Sequence, residues 1–268
     1  MRTSTSPRIA FDDVGNGDPA LLFLPGWCSN RTVFRDLLPL AARHRRVLAL
    51  DLRGHGESEQ PAGDYTSEDL VHDALEVIDQ AELATVVPVA LSHAGWVAID
   101  LRRQLGAGYV PGIVLLDWMV LGPPPPFADV LAGLQDPHRW QEMRELLFTM
   151  WTTGVDLPAL DANIAEMRAY GFDTWSRAGR EIARRFSAEG SPVAALERLE
   201  DPCPTLHLYA QPSDEGYLTA QQAYAAEKSW FHVQRLVGRS HFPMLEVPAE
   251  LVAHIETFLW SLPAATGS

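Results

Sequence analysis

Val86 to Trp96 reads V-V-P-V-A-L-S-H-A-G-W, an apolar, β-branched run that passes through a small-residue turn into a helical pattern. A buried parallel strand hands over to a helix in this way, leaving one side chain, here Ser92, at a sharp bend. A nucleophile elbow usually reads G-x-S-x-G, because a strained turn leaves little room beside it. Here the flanks are Ala90 and Ala94, with Gly95 one place later. The same string also fits an ordinary strand-to-helix turn, so its meaning rests on the rest of the chain.

The 268 residues are 47% hydrophobic, enough to bury a full core as one domain or as one domain with an insertion. Lys and Arg number 21 against 35 Asp and Glu, a net charge of −14 with a pI near 5.0, which argues against nucleic acid or an anionic membrane as partner. No apolar run approaches the roughly 20 residues that span a bilayer, and Met1 to Ala10 lacks the apolar core of a secretion signal. A cytoplasmic protein is the expectation. Cys28 and Cys203 stand far apart, which suggests neither a disulfide framework nor a thiolate metal site.

Upstream of the opening stretch, Arg8 to Asp12 reads as a first strand and Ala20 to Leu24 as a buried one, followed by P-G-W-C-S-N at Pro25 to Asn30. A loop at the carboxyl end of a buried strand is where open parallel sheets hold ligands. Trp27 there either supplies a backbone N–H to a developing anion, with Gly26 allowing close approach, or simply packs in a tight turn. Arg31 to Ala42 has helical spacing, and Arg46 to Asp51 reads as a strand that ends in D-L-R-G-H-G-E-S at Asp51 to Ser58. His55 and Glu57 form an H-x-E pair, but the usual host of a two-histidine, one-carboxylate iron site is an all-β barrel. This chain alternates strands and helices, so the loop is sufficiently explained as a connection. Ser67 to Leu83 is helical, with Glu68 and Asp69 in its first turn.

Downstream, Trp96 to Leu105 is helical and Gly112 to Leu116 is a buried strand ending at Asp117, a carboxylate that needs a partner or solvent. Pro123 to Pro126 then breaks the pattern, and Phe127 to about Leu196 is helical and rich in aromatics, without strand signals. The division expected is a core of residues 1–122 and 197–268 with a helical cap of 123–196. Most cap aromatics are packing residues, with Trp151 the one assigned to a ligand-binding wall. Thr205 to Ala210 resumes the sheet, Tyr217 to Lys228 is a helix, and Phe231 to Val237 is a strand that leads to G-R-S-H-F-P at Gly238 to Pro243. Pro248 to Trp260 is the last helix. Ser92, then an acid, then His241, each after a strand, is the chain order of the α/β-hydrolase triad. Asp117 and Asp214 both qualify as the acid.

The chain resembles α/β-hydrolase-fold proteins through P-G-W, D-L-R-G-H-G-E-S, the Ser92 elbow and the late His241. More narrowly it resembles the cofactor-independent 3-hydroxy-4-quinolone 2,4-dioxygenases. That likeness rests on G-W-C (Gly26 to Cys28), S-H-A-G-W (Ser92 to Trp96), L-D-W (Leu116 to Trp118), D-P-H-R-W (Asp136 to Trp140), L-F-T-M-W (Leu147 to Trp151), Y-G-F-D-T-W (Tyr170 to Trp175), G-S-P (Gly190 to Pro192) and H-F-P (His241 to Pro243). It implies an α/β fold with a mostly parallel sheet flanked by helices. It further implies His241 as general base for the substrate's 3-hydroxyl, Asp117 orienting it and Ser92 as a hydrogen-bonding residue. The N–H groups of Trp27 and His93 would form an anion-stabilising hole, with Trp151 beside the ring.

The resemblance implies no metal and no cofactor, with O2 as co-substrate and carbon monoxide and an N-acylanthranilate as products. An electron-rich heteroaromatic anion passes an electron to O2 unaided, so the protein has to deprotonate it, hold it and exclude water. Ser29 and Leu91 stand where relatives have or may have histidines. Fewer polar groups suggest a more apolar substrate end, such as the 2-alkyl chain of a quinolone signal. The competing class is a serine hydrolase with Ser92 as nucleophile, His241 as base and Asp117 or Asp214 as acid. A non-catalytic binding protein is the third.

Overall fold

In the computed structural model, which describes residues 7–262, seven strands form one sheet. They are β1 (Phe11–Val14), β2 (Ala20–Leu24), β3 (Val47–Leu50), β4 (Val86–Leu91), β5 (Ile113–Leu116), β6 (Thr205–Tyr209) and β7 (Phe231–Arg235). Across the sheet they run β1-β3-β2-β4-β5-β6-β7, and β1 is the one antiparallel member. Strands β2 to β6 are buried at every position, as apolar parallel strands covered on both faces must be. Edge strand β7 instead alternates less and more exposed residues, with Phe231 alone buried.

Strand β4 carries Pro88 at the centre of the sheet, where a missing N–H normally breaks a ladder. Val86, on the same side of the strand, donates to Tyr109 O at 2.9 Å, and the β4–β5 ladder begins only at Val89. Pro88 therefore faces β5 just before pairing starts, and no ladder bond is lost.

Two expected elements differ. Residues 8–10 pair with the Asp51 to Glu59 loop through Glu59 N–H to Arg8 O and Ala10 N–H to Ser58 Oγ, so β1 begins at Phe11, opposite Leu50. The expected helix from Arg31 to Ala42 is instead a 3-10 turn at Arg31–Phe34 and a short α1 (Leu38–Ala41). Pro39 cannot lie inside a longer helix, because its ring would clash with the carbonyl four residues earlier. Helices α2 (Ser67–Gln80) and α3 (Gly95–Leu105) flank β4 in sequence as expected.

Between β5 and β6 the described chain is helical: α4 (Phe127–Leu134), α5 (Trp140–Thr152), α6 (Pro158–Arg168), α7 (Phe172–Glu189) and α8 (Pro192–Glu197). Helix α7 docks on the flanking helices through polar contacts. The buried Glu181 accepts from Ser67 N–H at 3.0 Å, and Arg185 pairs with Asp100 at 2.8 Å. The chain ends in α9 (Glu215–Glu227), α10 (Pro243–Glu246) and α11 (Pro248–Ser261). No helix among the described residues is long and apolar enough to cross a membrane. The expectation about a secretion signal falls largely on residues 1–6, outside the described residues.

Candidate active site

Three chain segments leave the carboxyl ends of neighbouring strands β2, β4 and β5 through left-handed, non-glycine residues: Cys28 (φ 59°), Ser92 (φ 53°) and Asp117 (φ 43°). Each such residue costs of order 1 kcal/mol and persists only where its surroundings hold it. Cys28 is held because its N–H donates to Nε2 of the buried His55 at 3.1 Å, while His55 Nδ1 bonds Arg53 O at 2.9 Å. Ser92 is held by close packing one residue further on than the usual elbow pattern. A Cβ on Gly95 would lie 2.2 Å from the Trp118 ring, whereas one on Gly26 would meet nothing nearer than 3.5 Å. The glycine that close protein packing requires beside the elbow is thus Gly95.

Asp117 is 2% exposed, yet its charge is fully served. Oδ1 accepts from His241 Nδ1 at 2.8 Å, and Oδ2 accepts from the backbone N–H groups of Ala210 (2.7 Å) and Gln211 (3.0 Å). His241 is fixed from its other side too. Its backbone N–H donates to Trp151 O at 2.9 Å and its ring stacks on Trp151, centroids 4.9 Å apart and planes 20° apart. Glu246 ties down the preceding loop by accepting from Arg239 N–H (3.1 Å) and Ser240 N–H (2.7 Å). With Nδ1 committed to Asp117, Nε2 is the nitrogen left to act as a base. Asp214 plays no part: it caps α9 by accepting from Tyr217 N–H at 2.8 Å.

Trp27, Ser92, His93, Trp151 and His241 all line one cavity. Leu131, Leu134, Leu147, Met167 and Ile182 of the inserted helices make much of its wall. The N–H groups of Trp27 and His93 find no acceptor among the described residues, as donors waiting for a ligand anion would. No hydrogen bond joins Ser92 Oγ to His241 there either.

His93 is 8% exposed. Its Nδ1 accepts from Trp118 Nε1 at 3.1 Å, and burial, then the nearby His241, pushes its pKa down to about 3. It is therefore neutral, with its proton on Nε2. Neither His55 nor Glu57 is disposed to bind a metal. Both His55 nitrogens are occupied, and the exposed Glu57 pairs with Arg31. Among the described residues no group of three or more His, Cys, Asp and Glu side chains gathers as metal ligands would. Five of the six residues singled out in the sequence thus line one cavity and the sixth, Asp117, bonds His241; sequence reasoning missed the supports His55 and Trp118. The strings H-G-E and L-D-W contained them without showing which atoms they hold.

A strained elbow serine, an Asp–His pair and two free N–H groups at the strand ends of a parallel sheet define an enzyme of the α/β-hydrolase class. The family profile described as "Alpha/beta hydrolase family" matches residues 21–254. Two curated relatives are each 36% identical to this chain. One is 2-heptyl-3-hydroxy-4-quinolone dioxygenase AqdC2 of Rhodococcus erythropolis, matched over 97% of both chains. The other is 1H-3-hydroxy-4-oxoquinoline 2,4-dioxygenase of Pseudomonas putida, matched over 90% of this chain and 91% of that one. The solved structure of AqdC with the product of its ring cleavage of the Pseudomonas quinolone signal superposes with a TM-score of 0.91 at 32% identity, covering 97% of this chain and 99% of that one. The chain belongs to the alpha/beta hydrolase family and, within it, to the quinolone 2,4-dioxygenases.

Proposed function

We propose that this chain is a cytoplasmic, cofactor-independent dioxygenase that cleaves the heterocycle of a 2-alkyl-3-hydroxy-4(1H)-quinolone with O2. The observation that carries the reading is the Asp117–His241 pair facing the cavity beside Trp151, with no bond from His241 to Ser92. His241 Nε2 removes the 3-hydroxyl proton, and Asp117 stabilises the imidazolium that forms. The N–H groups of Trp27 and His93 hold the charge that spreads to the 4-oxygen, Ser92 Oγ hydrogen-bonds the same edge, and Trp151 flanks the ring. The electron-rich anion passes an electron to O2. The two bonds to C3 break, one oxygen atom ends on C2 and one on C4, and C3 leaves with its own oxygen as carbon monoxide. The organic product is an N-acylanthranilate.

Residues 123–196 act as a cap over residues 1–122 and 197–268 in this reading. The apolar side chains of α4 to α7 in the cavity wall suit a 2-alkyl chain. Both 36%-identical relatives are named for a 3-hydroxy-4-quinolone ring and the Rhodococcus one for its 2-heptyl form; destruction of such an alkylated compound would silence a bacterial signal. The test supplies 2-heptyl-3-hydroxy-4(1H)-quinolone and measures oxygen uptake and carbon monoxide. His241→Ala should abolish nearly all turnover while Ser92→Ala keeps a good part. A serine hydrolase would lose essentially everything with Ser92→Ala and would consume no oxygen.

A further inference from the structure

Helix α5 ends at Thr152, one residue beyond Trp151, and the last four carbonyls of a helix have no partner within it. Nearby residues serve two of them: Thr153 Oγ1 donates to Thr149 O, and Val155 N–H donates to Thr152 O. The carbonyls of Met150 and Trp151 are met from distant segments. Gln211, on the loop after β6, donates from Nε2 to Met150 O at 3.1 Å, and the same nitrogen lies 3.4 Å from Trp151 O, which also accepts from the backbone N–H of His241. Gln211 Nε2 donates as well to Arg239 O at 2.8 Å, two residues before His241. Three carbonyls around one amide atom assign it as the nitrogen, since an oxygen there would face only acceptors.

One residue thus reaches each support of His241. The Gln211 backbone N–H holds Asp117 Oδ2 at 3.0 Å, while its side chain binds both the loop that carries His241 and the helix end that carries Trp151, whose ring stacks on the imidazole. Among the described residues, the hydrogen bonds from α5 to residues 1–122 and 197–268 all end on Met150 O or Trp151 O, and their donors are Gln211 and His241. The segment from α6 to α7 has ties of its own. Glu166 accepts from Asn30 Nδ2 and Thr32 Oγ1, both at 2.9 Å, and Tyr170 OH accepts from Gly56 N–H at 2.9 Å. Without the Gln211 amide, α5 would keep only the bond from His241 itself.

We propose that Gln211 is a positioning residue for the reaction: its side-chain amide fixes the His241 loop against the Trp151 end of α5, and so sets where the base stands relative to the substrate ring. The proposal rests on the reading of His241 as that base. Proton transfer depends steeply on placement, and a displacement of about 1 Å can cost on the order of a hundredfold in rate.

Two variants of the full chain test it. Gln211→Met keeps the length of the side chain and removes the donor, whereas Gln211→Lys restores a donor whose charge suits a helix C-terminus. In oxygen uptake with 2-heptyl-3-hydroxy-4(1H)-quinolone, the Met variant should lose about tenfold or more in kcat with KM changed less, and the Lys variant should recover a good part of the loss. Without substrate, hydrogen exchange at the His241 amide should quicken about tenfold in the Met variant relative to the amides of β4, and the Lys variant should slow it again. The proposal is overturned if the Met variant leaves either kcat or this exchange as in the unaltered enzyme, if protection falls equally at His241 and in β4, or if Lys does no better than Met. Absence of oxygen uptake by the unaltered enzyme overturns the proposed function instead, and the exchange comparison still decides whether Gln211 holds the histidine loop.

Discussion

Trp118 Nε1 donates to His93 Nδ1 at 3.1 Å, and this bond decides which nitrogen of a cavity-lining imidazole carries the proton. Trp118→Phe keeps most of the ring and deletes the donor. We expect a stability loss of about 1 kcal/mol, as for a typical buried hydrogen bond, a mixture of His93 tautomers in 15N NMR spectra, and a fall in kcat/KM. A single Nε2–H tautomer retained in the variant would show that other contacts fix the ring.

The same indole depends on Gly95. A Cβ at that position would sit 2.2 Å from Trp118 Cζ3, so Gly95→Ala must push the ring away from His93. Overpacking of this kind costs about 1–3 kcal/mol, read as a lower denaturation midpoint, and activity should fall with it. Gly26→Ala, where the nearest atom would be 3.5 Å away, should be the milder change.

Asp117→Asn should impair the enzyme more than loss of a charge alone implies. The backbone N–H groups of Ala210 and Gln211 require an acceptor at Oδ2, so the asparagine oxygen turns to them and its NH2 faces His241. Nδ1 must then accept, the proton moves to Nε2, and the base is in the wrong tautomer. A fall in kcat of about a hundredfold or more is expected, with the folded state largely retained by circular dichroism.

Three buried histidines predict acid sensitivity. Burial is the main cause that lowers His55 and His207 to about 4 and His93 to about 3. The unfolded chain, with ordinary histidines near pH 6.5, binds more protons than the native one, so stability is complete above about pH 6.5 and lost as the pH falls. Each group contributes a slope approaching 1.4 kcal/mol per pH unit, about 4 for the three together, measurable by urea denaturation between about pH 6.5 and 5. His55→Gln, which can still accept from Cys28 N–H, should remove about a third of that slope.

The apolar wall from α4 to α7 should make chain length matter. The 2-heptyl substrate should have a higher kcat/KM than the 2-methyl one, chiefly through KM, because each buried methylene contributes roughly 0.8 kcal/mol. Equal or faster turnover of the methyl compound would sink the alkyl-chain proposal.

Much of this was legible in the sequence. Continuous apolar runs such as Val86 to Leu91 are buried on both faces of a parallel sheet, so they show without a partner strand. The order of Ser92, Asp117 and His241 is a property of the chain. Pro39 was visible too, yet helical spacing alone hid that it splits Arg31 to Ala42.

What only the tertiary structure decided is which atoms meet. The sequence left Asp117 and Asp214 both open as the acid, and the fold brings Asp117 to His241 while Asp214 caps a helix. It also shows that the glycine beside the elbow serves Trp118 rather than the serine's immediate neighbours, and that His55 supports a loop. Periodicity records burial, a local average along the chain. Hydrogen bonding depends on distances between residues tens of positions apart, which exist only once the sheet has set its register.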